Sequence, residues 1–251
     1  VVEHASAWPD VLQVCRYFIA HPRPDLYARE LPVPVGTKFI EERRALFRSL
    51  LDFLLPTEAV RRDSDHFETR FGLRYDEALI RWRVLDPALL PRLGLPVADL
   101  SAPFSQFQTL PWRELRVVIV ENKMTFLTLP ALSGAIAIWG GGNAATLLPD
   151  APWLHACDLC YWGDLDAHGL NILARLRRAW PRLAPVMMDV ETFDRFTAYQ
   201  VEAKPAPTEP AGPLDEPELR LYRRLQTQNL LLEQEKIPHA YAVERLRNAL
   251  A

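Results

Sequence analysis

Three acidic residues draw notice by where they fall. Glu121 comes directly after Val117-Val118-Ile119-Val120, and Asp164 and Asp166 come directly after Leu159-Cys160-Tyr161-Trp162. Each apolar run reads as a buried strand of the parallel type, so each acid stands where its strand emerges. In open α/β sheets that carboxyl edge is where ligands bind. Two such strand ends can meet in space, and three carboxylates converging on one point suit a hard divalent cation such as Mg2+. Gly163 and Gly169 flank the aspartates and let the backbone approach a ligand closely. The competing reading is local: an Asp-x-Asp pair often caps a helix, here one starting near Ala167, and Glu121 then only opens a loop.

Composition sets the frame for these acids. The chain has 251 residues, enough for one large or two modest domains, with 49% hydrophobic and 24% charged residues and a net charge of -3. That balance gives no global attraction to nucleic acid, so any DNA-binding surface has to come from local clusters of Arg and Lys. No apolar run approaches the length of a membrane span, and three cysteines argue against a disulfide framework and for the cytosol. The chain opens Val1-Val2-Glu3 without a Met, which suggests the core of a longer protein.

Periodicity then predicts the elements. A helix is expected over 9–20, an extended Pro-containing connector over 31–36, and a helix over 38–55 capped by Thr37, with Ile40, Phe47, Leu51 and Leu54 on its buried side. Residues 73–75 and 79–85 read as strands, the second with Arg81 and Arg83 facing outward, giving a small α+β, winged-helix-like module. A domain boundary is expected near residue 100. Beyond it strands at 116–120, 135–139, 158–163 and 186–189 alternate with helices at about 124–131, 143–148 and 168–180, which is the grammar of a parallel sheet flanked by helices, an α/β fold. A Pro-rich, exposed loop over 204–213 precedes helical spacing over 217–236 and a short last helix over 240–250.

The order strand-Glu121, Gly-rich loop, strand followed by Gly163-Asp164-Leu165-Asp166-Ala167-His168-Gly169 resembles the Toprim catalytic domain of topoisomerases, primases and several nucleases. Within that group the fuller motif is similar to the topoisomerase VI A subunit and its meiotic relatives, and most of all to the JetD family, the nuclease subunit of the Wadjet anti-plasmid system. Thr37-Lys38-Phe39-Ile40-Glu41, Phe67-Glu68-Thr69-Arg70-Phe71-Gly72-Leu73, Glu121-Asn122-Lys123-Met124-Thr125-Phe126 and Glu233-Gln234-Glu235-Lys236-Ile237 extend the similarity over about 37–251. The resemblance implies three parts: the end of an N-terminal arm over 1–36, a winged-helix/CAP-like module over 37–100, and a Toprim-like catalytic domain with C-terminal helices over 101–251. It also implies Mg2+- or Mn2+-dependent cleavage of double-stranded plasmid DNA, with Glu121, Asp164 and Asp166 as metal-binding, catalytic acids. The partners implied are a second copy of the chain and the condensin-like SMC complex JetABC. A metal held by carboxylates would stabilise the charge that builds on phosphate and leaving oxygens, or Glu121 would pass a proton to the leaving oxygen.

Other residues carry two readings each. Lys123 contacts the scissile phosphate or is a solvated lysine at a helix start. Asn122 bonds a neighbouring group or makes a turn, His168 moves a proton or is structural, and Asp189 joins the acids or caps the segment at Thr192. The loop Gly140-Gly141-Gly142-Asn143 lies beside the metal in the Toprim order but lacks the pattern of a nucleotide-cofactor loop. Cys157 and Cys160, with His155 and His168 near them, make a weak zinc pattern because no second cysteine pair exists. Arg43, Arg44 and Arg48, and Arg175, Arg177 and Arg178, are solvated faces unless they line a DNA cleft. Tyr75 is the best-placed candidate for the covalent nucleophile of a topoisomerase VI-like transesterase; activated water is the alternative that a nuclease would use. A non-catalytic DNA-binding scaffold subunit is the remaining alternative.

Overall fold

The computed structural model describes residues 6–141 and 144–250. Gly142 and Asn143, part of the glycine-rich loop, lie outside the described residues. The chain divides into two compact units, residues 1–76 and 77–251.

The first unit is built from four helices: α1 (Trp8–Ala20), α2 (Thr37–Glu41), α3 (Arg44–Leu54) and α4 (Phe67–Phe71). Val11, Val14 and Phe18 of α1 pack with Phe47 and Leu51 of α3 and with Phe67 and Phe71 of α4. The single helix expected over 38–55 is two, because Arg43 leaves helical geometry at φ -118° and ψ 20°. Thr37 is inside α2 and Gly36 is its cap. Leu54, expected to be buried, is 40% exposed. Residues 73–75 form no strand; Arg74 makes only an isolated bridge to Tyr27. Arg70 ties this unit together, with a bidentate pair to Asp52 (2.7 and 2.8 Å) and bonds from Nη1 to the carbonyls of Arg62 and Ser64 (both 3.0 Å).

The second unit runs β1 (Leu79–Val84), α5 (Leu89–Leu93), β2 (Asp99–Pro103), α6 (Phe104–Phe107), β3 (Arg116–Val120), α7 (Lys123–Thr128), β4 (Ala135–Trp139) and α8 (Ala144–Leu147). It continues with β5 (Asp158–Trp162), α9 (Ala167–Arg177), β6 (Ala184–Pro185), α10 (Val190–Arg195), β7 (Val201–Glu202), α11 (Glu216–Gln228), β8 (Leu230–Leu231) and α12 (His239–Ala249). Six strands form one mixed, mostly parallel sheet in the order β2-β1-β4-β3-β5-β6. β4, β3, β5 and β6 are parallel neighbours, and the β1–β2 pair adds antiparallel to β4.

The centre of the sheet follows from composition. Val117, Val118, Ile119 and Val120 have no exposed surface, and neither do Ala135 to Ile138. Strands covered on both faces have no polar side to present and read as continuous apolar runs. Two expectations change. The strand at 79–84, assigned to the N-terminal module, pairs with β4 and β2, so the chain divides between Asp76 and Glu77 and not near residue 100. The strand expected over 186–189 is the two-residue β6 at 184–185: Met187 takes φ 56°, a left-handed conformation that ends any extended run of L residues. No helix among the described residues is long and apolar enough to cross a membrane.

Candidate functional site

The connections of the sheet decide where a site forms. From β3 the chain crosses through α7 to β4 on one side; from β5 it crosses through α9 to β6 on the other. The adjacent, parallel ends of β3 and β5 are therefore a point where the winding reverses, and a crevice opens there between the diverging connections. Glu121 is the first residue after β3 and Asp164 the second after β5. The register Val120↔Trp162 places the two ends level.

Each acid is anchored. Tyr161, wholly inside the sheet, donates its hydroxyl hydrogen to Glu121 Oε2 at 3.0 Å. Asp164 Oδ1 accepts from the Gln234 backbone N–H at 2.8 Å. Asp166 Oδ1 accepts from the Gly169 N–H at 2.7 Å and is the N-cap of α9. The capping reading of Asp166 is thus correct as a local fact, and it still leaves a buried carboxylate at the sheet edge.

Electrostatics unites the three. Burial pushes the carboxyl of Asp164 up to about 6, with the charges of Glu121, Asp166 and Glu233 adding to the effect and the Gln234 N–H opposing it. Burial is also the main cause of the raised pKa of Glu121, where the charge of Asp166 adds and the Tyr161 hydrogen bond opposes, and of Asp166. Asp166 raises Glu121, Glu121 and Asp166 raise Asp164, and the His168 side chain acts on Glu121 and Asp166 in the opposite direction. Carboxylates gathered in this way supply the oxygen donors that a hard cation prefers. Among the described residues, however, no three His, Cys, Asp or Glu side chains already stand as a coordination cluster. The acids stand at two level strand ends without forming a finished cage.

Glycines make the crevice close-packed. A Cβ at Gly163 would collide with the Tyr161 hydroxyl, and one at Gly169 with the Asp164 carbonyl. The second obstacle is backbone, which cannot swing aside. Gly169→Ala is expected to cost about 2 kcal/mol or more of stability by overpacking the first turn of α9. Urea unfolding followed by tryptophan fluorescence checks this, and an unchanged midpoint would refute it.

The remaining candidates fall into distinct places. Lys123 is exposed at the start of α7, its Nζ 5.5 Å from the centre of the Trp139 ring, while Trp139 donates its indole N–H to the Glu121 carbonyl (2.9 Å). Asn122 caps α7 through Thr125 N–H at 2.9 Å. His168 contacts the Pro205 carbonyl (3.0 Å), and Asp189 caps α10 through Thr192 N–H (2.7 Å). Cys160 is buried in β5 with its thiol pushed up to about 12 by desolvation, and Cys157 Sγ lies 3.5 Å from the Trp153 carbonyl; neither thiol belongs to a zinc cluster among the described residues. Arg175 and Arg178 are exposed, but nine or more residues along α9 from Asp166 puts them roughly 14 Å or more away at 1.5 Å per residue. In the first unit Arg43 lies over Phe39 and beside Glu42, Arg44 pairs with Glu68, and Arg48 pairs with Asp65 at 2.8 Å, so contact with phosphate would have to replace these partners. Tyr75, also in the first unit, packs its ring against His66 at 4.4 Å.

One residue of the site carries no local signal in the sequence. Gln234 is 1% exposed and lies between the ends of β3 and β5. The helical spacing expected over 217–236 ends at Gln228, where Asn229 turns left-handed (φ 48°), so Gln234 stands in a separate short turn with partners 72 and 112 positions away.

Two family models match the chain. Residues 72–246 match the family described as Wadjet protein JetD, C-terminal. Residues 1–52 match a second family, described as an uncharacterized protein conserved in bacteria, N-terminal (DUF3322). A search of curated proteins gives no match. With the greater part of its length, including both acid-bearing strand ends, under the first of these matches, the chain belongs to the family of JetD, a component of the Wadjet anti-plasmid system.

Proposed function

We propose that this chain is the metal-dependent endonuclease subunit of a Wadjet system and hydrolyses double-stranded plasmid DNA at a Toprim-like site formed by Glu121, Asp164 and Asp166. The observation that carries the proposal is the gathering of three carboxylates, Asp166 buried and Glu121 and Asp164 half-buried, at the winding reversal between β3 and β5. Each acid also has a local partner, and a DNA phosphate brought among them would need a cation between.

Mg2+ or Mn2+ bound by the three acids would supply neutralisation of the charge that grows on the phosphate oxygens. The chain's own groups do the rest. The nucleophile is water: its oxygen forms the new bond to phosphorus and releases one proton to solvent, while the bond to one sugar oxygen breaks and that leaving oxygen takes up a proton. Glu121, whose carboxyl is held above the ordinary range by burial, either supplies that proton or, ionised, binds the cation. Tyr161 fixes its orientation. Tyr161 is no nucleophile, because complete burial and the neighbouring Glu121 keep its hydroxyl protonated. Lys123, exposed at the same edge, contacts the phosphate. Duplex DNA is the substrate; a second copy of the chain and the condensin-like SMC complex are the partners this reading assigns.

The test is nicking of supercoiled plasmid by the full chain with its Wadjet partners, in Mn2+ and in excess EDTA, alongside Glu121→Ala. Cleavage that needs the metal and disappears in Glu121→Ala is the expected result. Cleavage surviving in Glu121→Ala would overturn the site. A protein–DNA adduct persisting after denaturation would replace water with a tyrosine.

A further inference from the structure

We infer that Gln234 is a positioning residue that sets the separation of Glu121 from the aspartates and thereby the affinity of the site for its cation. The inference rests on the functional reading above and deepens it.

The argument begins with the amide. Gln234 Oε1 accepts from the Asn122 backbone N–H at 2.6 Å, and Gln234 Nε2 donates to the Trp162 carbonyl. One side chain therefore joins the residue after Glu121 to the residue two before Asp164. A primary amide can offer an acceptor and a donor at once, and these two partners demand one of each, which fixes which way the amide faces. The Trp162 carbonyl also accepts from the Glu121 N–H at 3.2 Å, so the two strand ends share a single acceptor. The backbone N–H of Gln234 then reaches Asp164 Oδ1.

The segment carrying Gln234 is itself held. Leu165 and Leu232 exchange backbone hydrogen bonds at 2.9 and 3.1 Å, and Glu235 Oε2 lies 3.4 Å from Asn122 Nδ2. Gln234 is thus a fixed clamp, buried where its lost contacts could not be replaced by water. Three carboxylates that repel each other tend to spread, and a clamp across the two backbones that bear them opposes that. Groups that orient metal-binding acids commonly govern affinity by 10- to 100-fold when removed.

Binding of Mn2+ to the full chain, followed by loss of the free-ion EPR signal at a temperature well below unfolding, tests the inference without relying on cleavage. Gln234→Met keeps length and apolar bulk but neither hydrogen bond of the amide. The expected result is Mn2+ binding weakened about 10-fold or more, with cleavage restored by excess Mn2+. A purely structural role would lower the unfolding temperature and leave the affinity of the folded protein unchanged, and that result would overturn the inference. Asp164→Asn, run beside it, separates the two levels. If Asp164→Asn abolishes binding while Gln234→Met binds as wild type does, the positioning role is wrong and the site stands. If Asp164→Asn also binds as wild type, the site falls and the clamp with it. Should Gln234→Met not fold, Gln234→Asn, whose shorter arm cannot span both partners, gives the same expected loss.

Discussion

Asp164→Asn should yield a protein that no longer cleaves plasmid DNA yet, without divalent metal, resists unfolding better than the wild type above pH 6. Both effects have one cause. Asp164 is pushed up to about 6 chiefly by desolvation, with three neighbouring acids adding to it. Its folded pKa therefore lies above the value of about 3.9 for an unfolded chain. The neutral carboxyl is tolerated below about pH 4, and stability drains away as pH rises through 6 and the buried group is forced to ionise. At pH 8 that loss is on the order of 2 kcal/mol. The amide of Asn never ionises, so urea midpoints in EDTA should match near pH 3, separate as pH rises from about 4 to 6, and stay apart at pH 8, the variant being higher. With Mn2+ present, cleavage should fall roughly 10³-fold, the scale set by removing one charged group that stabilises a transition state. Equal midpoints at pH 8 would mean that the carboxyl is solvated, and the electrostatic case for a cation site would go with it.

Glu218→Ala has the largest expected effect on stability. Arg177, near the end of α9, and Glu218, in the first turn of α11, form a two-pronged pair whose side chains are 12% and 8% exposed, with Arg177 Nη2 2.8 Å from Glu218 Oε1. Glu218 also accepts from the Asp215 N–H at 2.8 Å, closing the capping box of α11. Removing the carboxylate strands a buried guanidinium and opens the helix start, at a cost of about 3–5 kcal/mol. Thermal unfolding should begin roughly 10 °C lower. Tryptophan fluorescence reports the right unit, since Trp8 alone of the seven tryptophans lies outside residues 77–251. The pair Arg177→Met with Glu218→Leu should recover most of the loss, because it leaves no unpaired charge. A Glu218→Ala midpoint within 1 °C of wild type would show the pair to be solvated in solution.

What could be read from the sequence, and what could not, divides along physical lines. β3, β4 and β5 were legible because a strand covered on both faces must be apolar throughout, and the acids at their ends stood out against that background. The partner of β1 was not. Leu79–Val84 alternates as a half-covered strand does, but nothing local says that its neighbour is Ala135–Trp139, 50 residues on. That gap moved the expected boundary to the wrong side of residue 77. The apolar run Val186-Met187-Met188 imitates a strand, being fully buried, while Met187 takes a backbone angle that no pattern of side chains announces. Within the site the acids were visible by type and place. Tyr161 and Gln234 were not, since a buried tyrosine looks like core and a glutamine gains its role only from partners brought by the fold.

The outer strand β6 sets a rule for assembly. It is two residues long, and its second residue, Pro185, has no N–H to offer. An edge so short and so poor in donors gives an approaching chain almost nothing to zip onto. Strand addition to the six-stranded sheet is therefore disfavoured at that margin and is left to the opposite one, where the five-residue β2 (Asp99–Pro103) is the outer strand.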